Sequence, residues 1–235
     1  MPATGTLYLI PTPLGPEGDT VLPAYVIEAI HRLDVFIVEK AKTARRFISG
    51  QQHPRPISEL TIFELNKKTE AHEWPQFLRA AETGTDTGLL SEAGCPGVAD
   101  PGAEIVQLAH QRGIPVVPLV GPSSILLSLM ASGLNGQSFT FHGYLSPKRE
   151  LIGRDLKKLE QQAKRLRQTQ IFIETPYRNG QIFEQALKQL HADTRFCVAT
   201  DLTLPTESIR TLTIRQWRLQ AIPDFHKRPT VFLLL

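Results

Sequence analysis

The sequence has little cysteine, because only Cys95 and Cys197 occur in 235 residues and they lie far apart. Two distant cysteines do not form a disulfide framework, and the absence of a CxxC motif excludes the redox and zinc sites of that spacing. The seven histidines show neither HExxH nor a paired-ligand spacing, so we predict no metal site. Free thiols are typical of a reducing compartment, and we expect a cytoplasmic protein.

Long apolar runs are also missing. The N-terminus has no basic region followed by a long apolar core, so no secretory signal is predicted. Residues 114–134 are apolar enough to suggest a membrane helix, but Pro115, Pro118, Gly121 and Pro122 break them into a strand, a turn and a helix. We therefore predict no membrane partner.

Charged residues make up 21% of the chain and nearly cancel, leaving a formal net charge of +3. Their distribution is uneven, because residues 148–167 contain eight basic and three acidic side chains. A concentrated basic segment on a nearly neutral protein favours a polyanionic partner. The alternative is the solvated face of a helix, because this window also carries apolar residues at helical spacing, namely Ile152, Leu156, Leu159, Ala163 and Leu166.

The segment LLSEAGCPGVADPG, residues 89–102, is rich in glycine and proline directly after the apolar run Thr87–Leu90. Glycine lets the main chain approach a ligand closely, and proline lowers the entropic cost of ordering the loop. The alternative is a tight strand-to-helix connection without a ligand. The segment fits neither GxGxxG nor GxxxxGK[ST], so neither a dinucleotide fingerprint nor a P-loop is predicted.

A second loop, Gly121-Pro122-Ser123-Ser124, precedes a helix predicted over residues 125–131. The backbone amides at a helix N-terminus lack intrahelical partners and can meet a ligand. The alternative is that a serine only caps the helix. The loop does not fit GxSxG, so a hydrolase nucleophile is not predicted.

Strands and helices alternate along the first half of the chain. Apolar runs predict strands over residues 7–10, 35–38, 87–90 and 116–120, and a helix between the first two has Asp19 or Thr20 as its N-cap. A further helix is predicted from the spacing of Trp74, Phe77, Leu78 and Ala81. This alternation favours an α/β fold with a parallel sheet. Five further strands in the second half predict a second sheet, so we expect two α/β domains, 1–119 and 120–235.

Five segments in one order resemble a known family. SEAGCPGVADPG is similar to SDAGTPGISDPG of the tetrapyrrole (corrin/porphyrin) methylase superfamily, in its ribosomal RNA small-subunit methyltransferase branch. The resemblance extends to LYLIPTPLG near the start, PLVGPSSI at residues 118–125, FHGYLSPKR at 141–149 and IETPYR at 173–178. It implies two α/β domains with S-adenosyl-L-methionine in the cleft between them, a homodimer, and ribosomal RNA or the small ribosomal subunit as partner.

The resemblance also implies site residues. The cofactor would be bound by Pro13, Ser91, Gly94, Cys95, Pro96, Gly97, Val98, Ala99, Asp100, Gly121, Pro122, Ser123, Ser124, Glu174 and Thr175. Lys148, Arg149 and Arg178 would contact the substrate. Glu39 and Arg45 follow a strand end and are catalytic candidates, and the alternative is a solvated helix start with a basic face. Glu92, one methylene longer than the aspartate usual in the family, is also a candidate, and the alternative is that it only holds the loop.

Three functional hypotheses remain open. The first is 2′-O-ribose methylation of ribosomal RNA, the second is methylation of a tetrapyrrole or other small molecule, and the third is a catalytically inactive cofactor-binding protein. Glu39-Lys40-Ala41-Lys42 departs from the Glu-Asp-Thr-Arg of the RNA enzymes, which weakens the first hypothesis. The length weakens it too, because the sequence stops at VFLLL, where the resemblance leads us to expect a further small C-terminal domain. The basic window favours it, and the intact glycine loop argues against the third.

Overall fold

The structure of the protein is a computed structural model that describes residues 4–16 and 21–235. The chain divides into two compact units, Met1–Pro122 and Ser123–Leu235. This division falls three residues after the expected one. The predicted capping residues Asp19 and Thr20 lie outside the described residues, and the helix that follows them begins at Ala24 with Pro23 as its N-cap.

The first unit is built on a parallel sheet of five strands. These are β1 (Leu7–Ile10), β2 (Val35–Val38), β3 (Thr61–Glu64), β4 (Thr87–Leu90) and β5 (Val116–Pro118), in the order β3-β2-β4-β1-β5. Every pairing is parallel, as the sequence predicts. The carboxyl ends of the strands therefore share one edge, and the loops that follow them meet there.

Helices cover both faces of this sheet. They are α1 (Ala24–His31), α2 (Ala41–Gly50), α3 (Trp74–Phe77), α4 (Arg79–Glu82) and α5 (Ala103–Gln111). Successive strand residues point to opposite faces, so Phe36 packs with α1 and α2 while Ile37 packs with α3, α4 and α5. Each fully buried side chain of this kind contributes roughly 2 kcal/mol. Burial on both faces explains why β2, whose four residues are all buried, is uniformly apolar in sequence.

One helix prediction is wrong in detail. The single helix expected from Trp74 to Ala81 is two four-residue helices, α3 and α4, which meet at Leu78. Leu78 has φ −98° and ψ 0°, outside the usual helical values, and its side chain is fully buried. The helical spacing of the apolar residues survives because both short helices face the same cluster.

The second unit contains a mixed sheet of five strands. Its elements are α6 (Ser124–Ser132), β6 (Phe139–Tyr144), α7 (Arg149–Leu166), β7 (Thr169–Ile173), α8 (Asn179–Gln189), β8 (Arg195–Thr200), β9 (Ser208–Thr213), α9 (Ile214–Trp217) and β10 (Thr230–Leu234). The order is β6-β7-β10-β8-β9, and only β6 and β7 are parallel among the described pairs.

The last strand of the chain, β10, is central in this sheet. It pairs with β7 on one side and β8 on the other, and all five of its residues are buried. These apolar residues are therefore covered within the unit, and they give no reason of their own to expect a second subunit. Leu166 also departs from prediction, since it is half exposed at the end of the buried stripe of α7.

Candidate active site

Two loops are joined at the carboxyl edge of the first sheet. Thr12, after β1, and Gly94, after β4, exchange backbone hydrogen bonds, each with an N···O distance of 3.0 Å. The Ser91 hydroxyl donates to the Gly94 carbonyl at 2.5 Å and lies 3.1 Å from Thr12 Oγ1. These contacts are buried, so they hold the glycine loop against the loop that carries Pro13.

The glycine loop has an unusual backbone. Four of its residues have positive φ: Gly94 at 81°, Gly97 at 74°, Ala99 at 62° and Gly102 at 134°. A left-handed alanine costs about 1 kcal/mol, and such strain is concentrated at functional sites. The conformation therefore requires glycine at the other three positions and gives the loop a fixed, non-repetitive shape.

The loop after β5 reaches the same edge. A Cβ on Gly121 would lie 2.2 Å from Pro11 Cγ, so only glycine fits beside the loop after β1. The Cys95 thiol donates to the Pro122 carbonyl at 3.5 Å, which joins this loop to the glycine loop. The predicted residues Gly94, Cys95, Gly121 and Pro122 are thus brought together within the first unit.

Ser123 and Ser124 begin the second unit. Ser123 is the N-cap of α6, and its hydroxyl accepts a long hydrogen bond of 3.5 Å from the Leu126 amide. The capping role therefore accounts for the Ser123 side chain, whereas Ser124 is the first helical residue.

A cluster of charged side chains lies beside the glycine loop. Lys40 Nζ lies 3.3 Å from Glu92 Oε2, and the Thr43 hydroxyl donates to Glu92 Oε1 at 2.6 Å. The hydrogen bond and the charge of Glu92 raise the pKa of Lys40 above its ordinary value. Burial, with the charges of Glu39 and Glu92, raises the pKa of Asp100 from 3.8 to about 6. The cluster thus contains a carboxyl group that can exchange a proton near neutral pH.

The predicted catalytic residues do not all join this cluster. Glu39 and Glu92 belong to it, but Arg45 is exposed on α2 and forms no ion pair or hydrogen bond with a described residue. Sequence reasoning missed Lys40 and Thr43 as partners of Glu92. The available signal was Lys40 itself, because the resemblance places an acidic residue at this position and the lysine instead brings a cation close to Glu92.

A cavity of about 420 Å³ opens beside Glu92. It lies between the loop after β1, the outer turns of α2 and residues 90–93, and Phe47 contributes apolar surface to it. This volume is within the usual range for small-ligand sites. The cavity therefore leaves room for a reacting group next to the charged cluster.

The predicted residues of the second unit form their own cluster. The buried Glu174 carboxylate accepts a hydrogen bond from the Thr175 amide at 2.7 Å, and its Oε2 lies 3.2 Å from Arg178 Nη1. No described donor meets hydrogen-bond geometry at Oε2, so the contact with Arg178 is ionic. Arg178 also donates to the Ser146 carbonyl at 2.9 Å. Glu174 and Arg178 thus stabilise the turn after β7.

Within residues 4–16 and 21–235, no helix is long and apolar enough to cross a membrane. No group of three or more His, Cys, Asp or Glu side chains in the same ranges is arranged to hold a metal ion.

The chain matches a family model described as Tetrapyrrole (Corrin/Porphyrin) Methylases over residues 6–217. It is 33% identical to ribosomal RNA small subunit methyltransferase I of Mesorhizobium japonicum, over 91% of this chain and 69% of that protein. It is 31% identical to the protein of the same name from Bacillus subtilis, over 85% of this chain and 64% of that protein. The chain thus spans about two thirds of the length of these relatives.

Solved structures show the same fold at low sequence identity. The methyltransferase CobJ superposes with a TM-score of 0.63 at 19% identity, over 98% of this chain and 94% of that chain. The cobalamin biosynthetic enzyme cobalt precorrin-4 methyltransferase superposes with a TM-score of 0.61 at 15% identity, over 97% of this chain and 94% of that chain.

Proposed function

Since the chain belongs to the tetrapyrrole methylase family and is a methyltransferase that uses S-adenosylmethionine, we propose that its methyl acceptor is small-subunit ribosomal RNA. The family match confirms the resemblance that the loops predict, and the two α/β units with their structural relatives confirm the fold class. The names of the relatives at 33% and 31% identity support RNA as the acceptor. We further propose a ribose 2′-hydroxyl as the methylated group and the cytoplasm, where ribosomal subunits assemble, as the location.

We propose that main-chain groups of the glycine loop and of Gly121 and Pro122 bind the cofactor. The convergence of three loops at one sheet edge carries this proposal, because ligands of parallel α/β sheets bind beyond the carboxyl ends of the strands. The resemblance alone supports four further residues of the proposed cofactor set, Ser123, Ser124, Glu174 and Thr175. It also supports the proposed substrate residues Lys148, Arg149 and Arg178, of which Arg149 additionally lines a basic groove.

The bound cofactor supplies a methyl group on a positively charged sulfur, which a nucleophile displaces in line. A ribose hydroxyl is a weak nucleophile, so a nearby carboxylate that takes its proton assists the transfer. We assign this role to the cluster of Glu39, Glu92 and Asp100. Lys40 and Thr43 hold Glu92 in place. Burial and the charges of Glu39 and Glu92 raise the pKa of Asp100 to about 6, which favours Asp100 as the proton acceptor near neutral pH. The products are a methyl ether, neutral S-adenosylhomocysteine and a protonated carboxyl.

Transfer of labelled methyl from S-adenosylmethionine to purified small ribosomal subunits tests the acceptor. We expect label in the RNA with wild type and a large loss with Asp100→Asn, whose amide cannot take the proton. Label only in an added tetrapyrrole would favour the small-molecule alternative, and cofactor binding without transfer to either would favour the inactive protein. The homodimer implied by the resemblance is part of the proposal, and a monomer by light scattering at micromolar concentration would contradict it.

A further inference from the structure

A shallow groove runs between α7 and α8 on the second unit. The two helices approach closely at Gly153, where a Cβ would lie 3.0 Å from Gln189 Cγ. Four basic side chains, Arg149, Arg154, Lys157 and Lys158, line the groove with the amides of Gln185 and Gln189. At a rise of 1.5 Å per residue, the basic side chains extend along the helix for about 14 Å.

The charge of this groove is poorly neutralised. Glu150 is the one acidic side chain among its described lining residues. Arg149, Lys157 and Lys158 form no ion pair with a described residue, and Arg154 lies 3.8 Å from Asp155 in a long contact. Asp155 itself accepts a hydrogen bond from the Ser146 amide. The groove therefore presents free cations to solvent.

The structure divides the basic segment of the sequence into two parts. Lys164 and Arg167 border a different hollow, which also contains Glu160 and Asp193. Their surroundings thus include acidic side chains, whereas the groove residues occupy the first half of α7. The second half of the helix offers basic residues on the same element that do not line the groove.

The lining chemistry matches a sugar-phosphate backbone. Free guanidinium and ammonium groups bind phosphate oxygens, and glutamine amides can donate to or accept from ribose hydroxyls. No aromatic side chain is among the described lining residues, so the groove offers no aromatic ring on which a base could stack. Contacts to the backbone alone increase affinity without reading sequence.

We propose that the groove between α7 and α8 binds the phosphodiester backbone of the RNA substrate through Arg149, Arg154, Lys157 and Lys158. This proposal rests on the proposed function, because it needs RNA as the acceptor. It assigns the groove to substrate affinity and not to the chemistry of transfer.

The test compares two variants that each remove three exposed charges. The groove variant combines Arg154→Gln, Lys157→Gln and Lys158→Gln. The control variant changes exposed positions outside the groove and combines Lys164→Gln, Arg165→Gln and Lys188→Gln. The dissociation constant for a small-subunit ribosomal RNA fragment is measured over a series of salt concentrations. Three lost phosphate contacts should reduce the log-log salt slope by about 2 to 3 in the groove variant, with little change in the control.

Further measurements separate the possible failures. With the groove variant, we expect KM for RNA to rise while kcat and the affinity for S-adenosylhomocysteine stay at wild-type values. The groove would be overturned as the site if both variants lost RNA affinity equally, or if both bound RNA as tightly as wild type does. If the wild-type protein still methylates RNA in either case, only the groove proposal fails. If wild type neither binds nor methylates RNA, the proposed acceptor fails together with it.

Discussion

Lys40 decides the charge balance around the carboxylates at the sheet edge. By the resemblance, Lys40 takes the place of an acidic residue of the RNA enzymes, and its ammonium pairs with Glu92 at 3.3 Å. Its charge also lowers the pKa of Asp100, against the larger upward effects of burial and of Glu39 and Glu92. The charge of Lys40 therefore reduces the repulsion among Glu39, Glu92 and Asp100.

Replacing Lys40 tests this role through pH dependence. If Asp100 accepts the proton, kcat/KM should rise with pH through about 6, because the protonated carboxyl cannot act as a base. Lys40→Met removes a charge that favours the ionised form, so the acidic limb of the profile should move to higher pH. Lys42→Met, an exposed neighbour without an ion pair to any described residue, is the control. An unmoved limb in Lys40→Met would show that the cluster does not set the profile.

The site depends on close contacts among the loops that follow β1, β4 and β5. Gly121 is the sharpest case, because its missing side chain leaves room for Pro11 at the end of β1. Gly94 and Ser91 make the equivalent contacts from the loop after β4. The three loops therefore form a single packed edge.

Gly121→Ala should destabilise the first unit. Its Cβ would meet Pro11 Cγ at 2.2 Å, and overpacking of this kind costs about 1 to 3 kcal/mol. Gly136→Ala is the matched control, since a Cβ there meets nothing within 4 Å. Urea unfolding measures both free energies. Equal stabilities of the two variants would contradict the close approach of these loops.

Much of the fold could be predicted from local patterns. Val35–Val38 reads as a strand because a doubly covered parallel strand is apolar throughout, and the glycine loop is recognisable because positive φ values demand glycine. The position of β10 could not be predicted, because it pairs with β7 and β8, which are distant in sequence. The contact of Lys40 with Glu92 was missed for the same reason, since it joins the loops after β2 and β4.

For the whole molecule, we propose that S-adenosylmethionine binds to the joined loops of the first unit. Gly97 is a poor position for the test, because its φ of 74° would strain any larger residue. Ser91→Ala is cleaner, since it removes the hydroxyl that joins the glycine loop to Thr12. Ser128→Ala is the matched control, because that buried hydroxyl donates to the Ile125 carbonyl within the second unit.

Calorimetric titration of S-adenosylhomocysteine into wild type, Ser91→Ala and Ser128→Ala measures the three affinities directly. We expect wild type to bind one molecule per chain and Ser128→Ala to bind equally well. Ser91→Ala should bind about tenfold more weakly, because a lost buried hydrogen bond costs about 1 kcal/mol and the loop must then be ordered on binding. An absence of binding by wild type, or an unchanged affinity in a folded Ser91→Ala protein, would contradict cofactor binding by the joined loops.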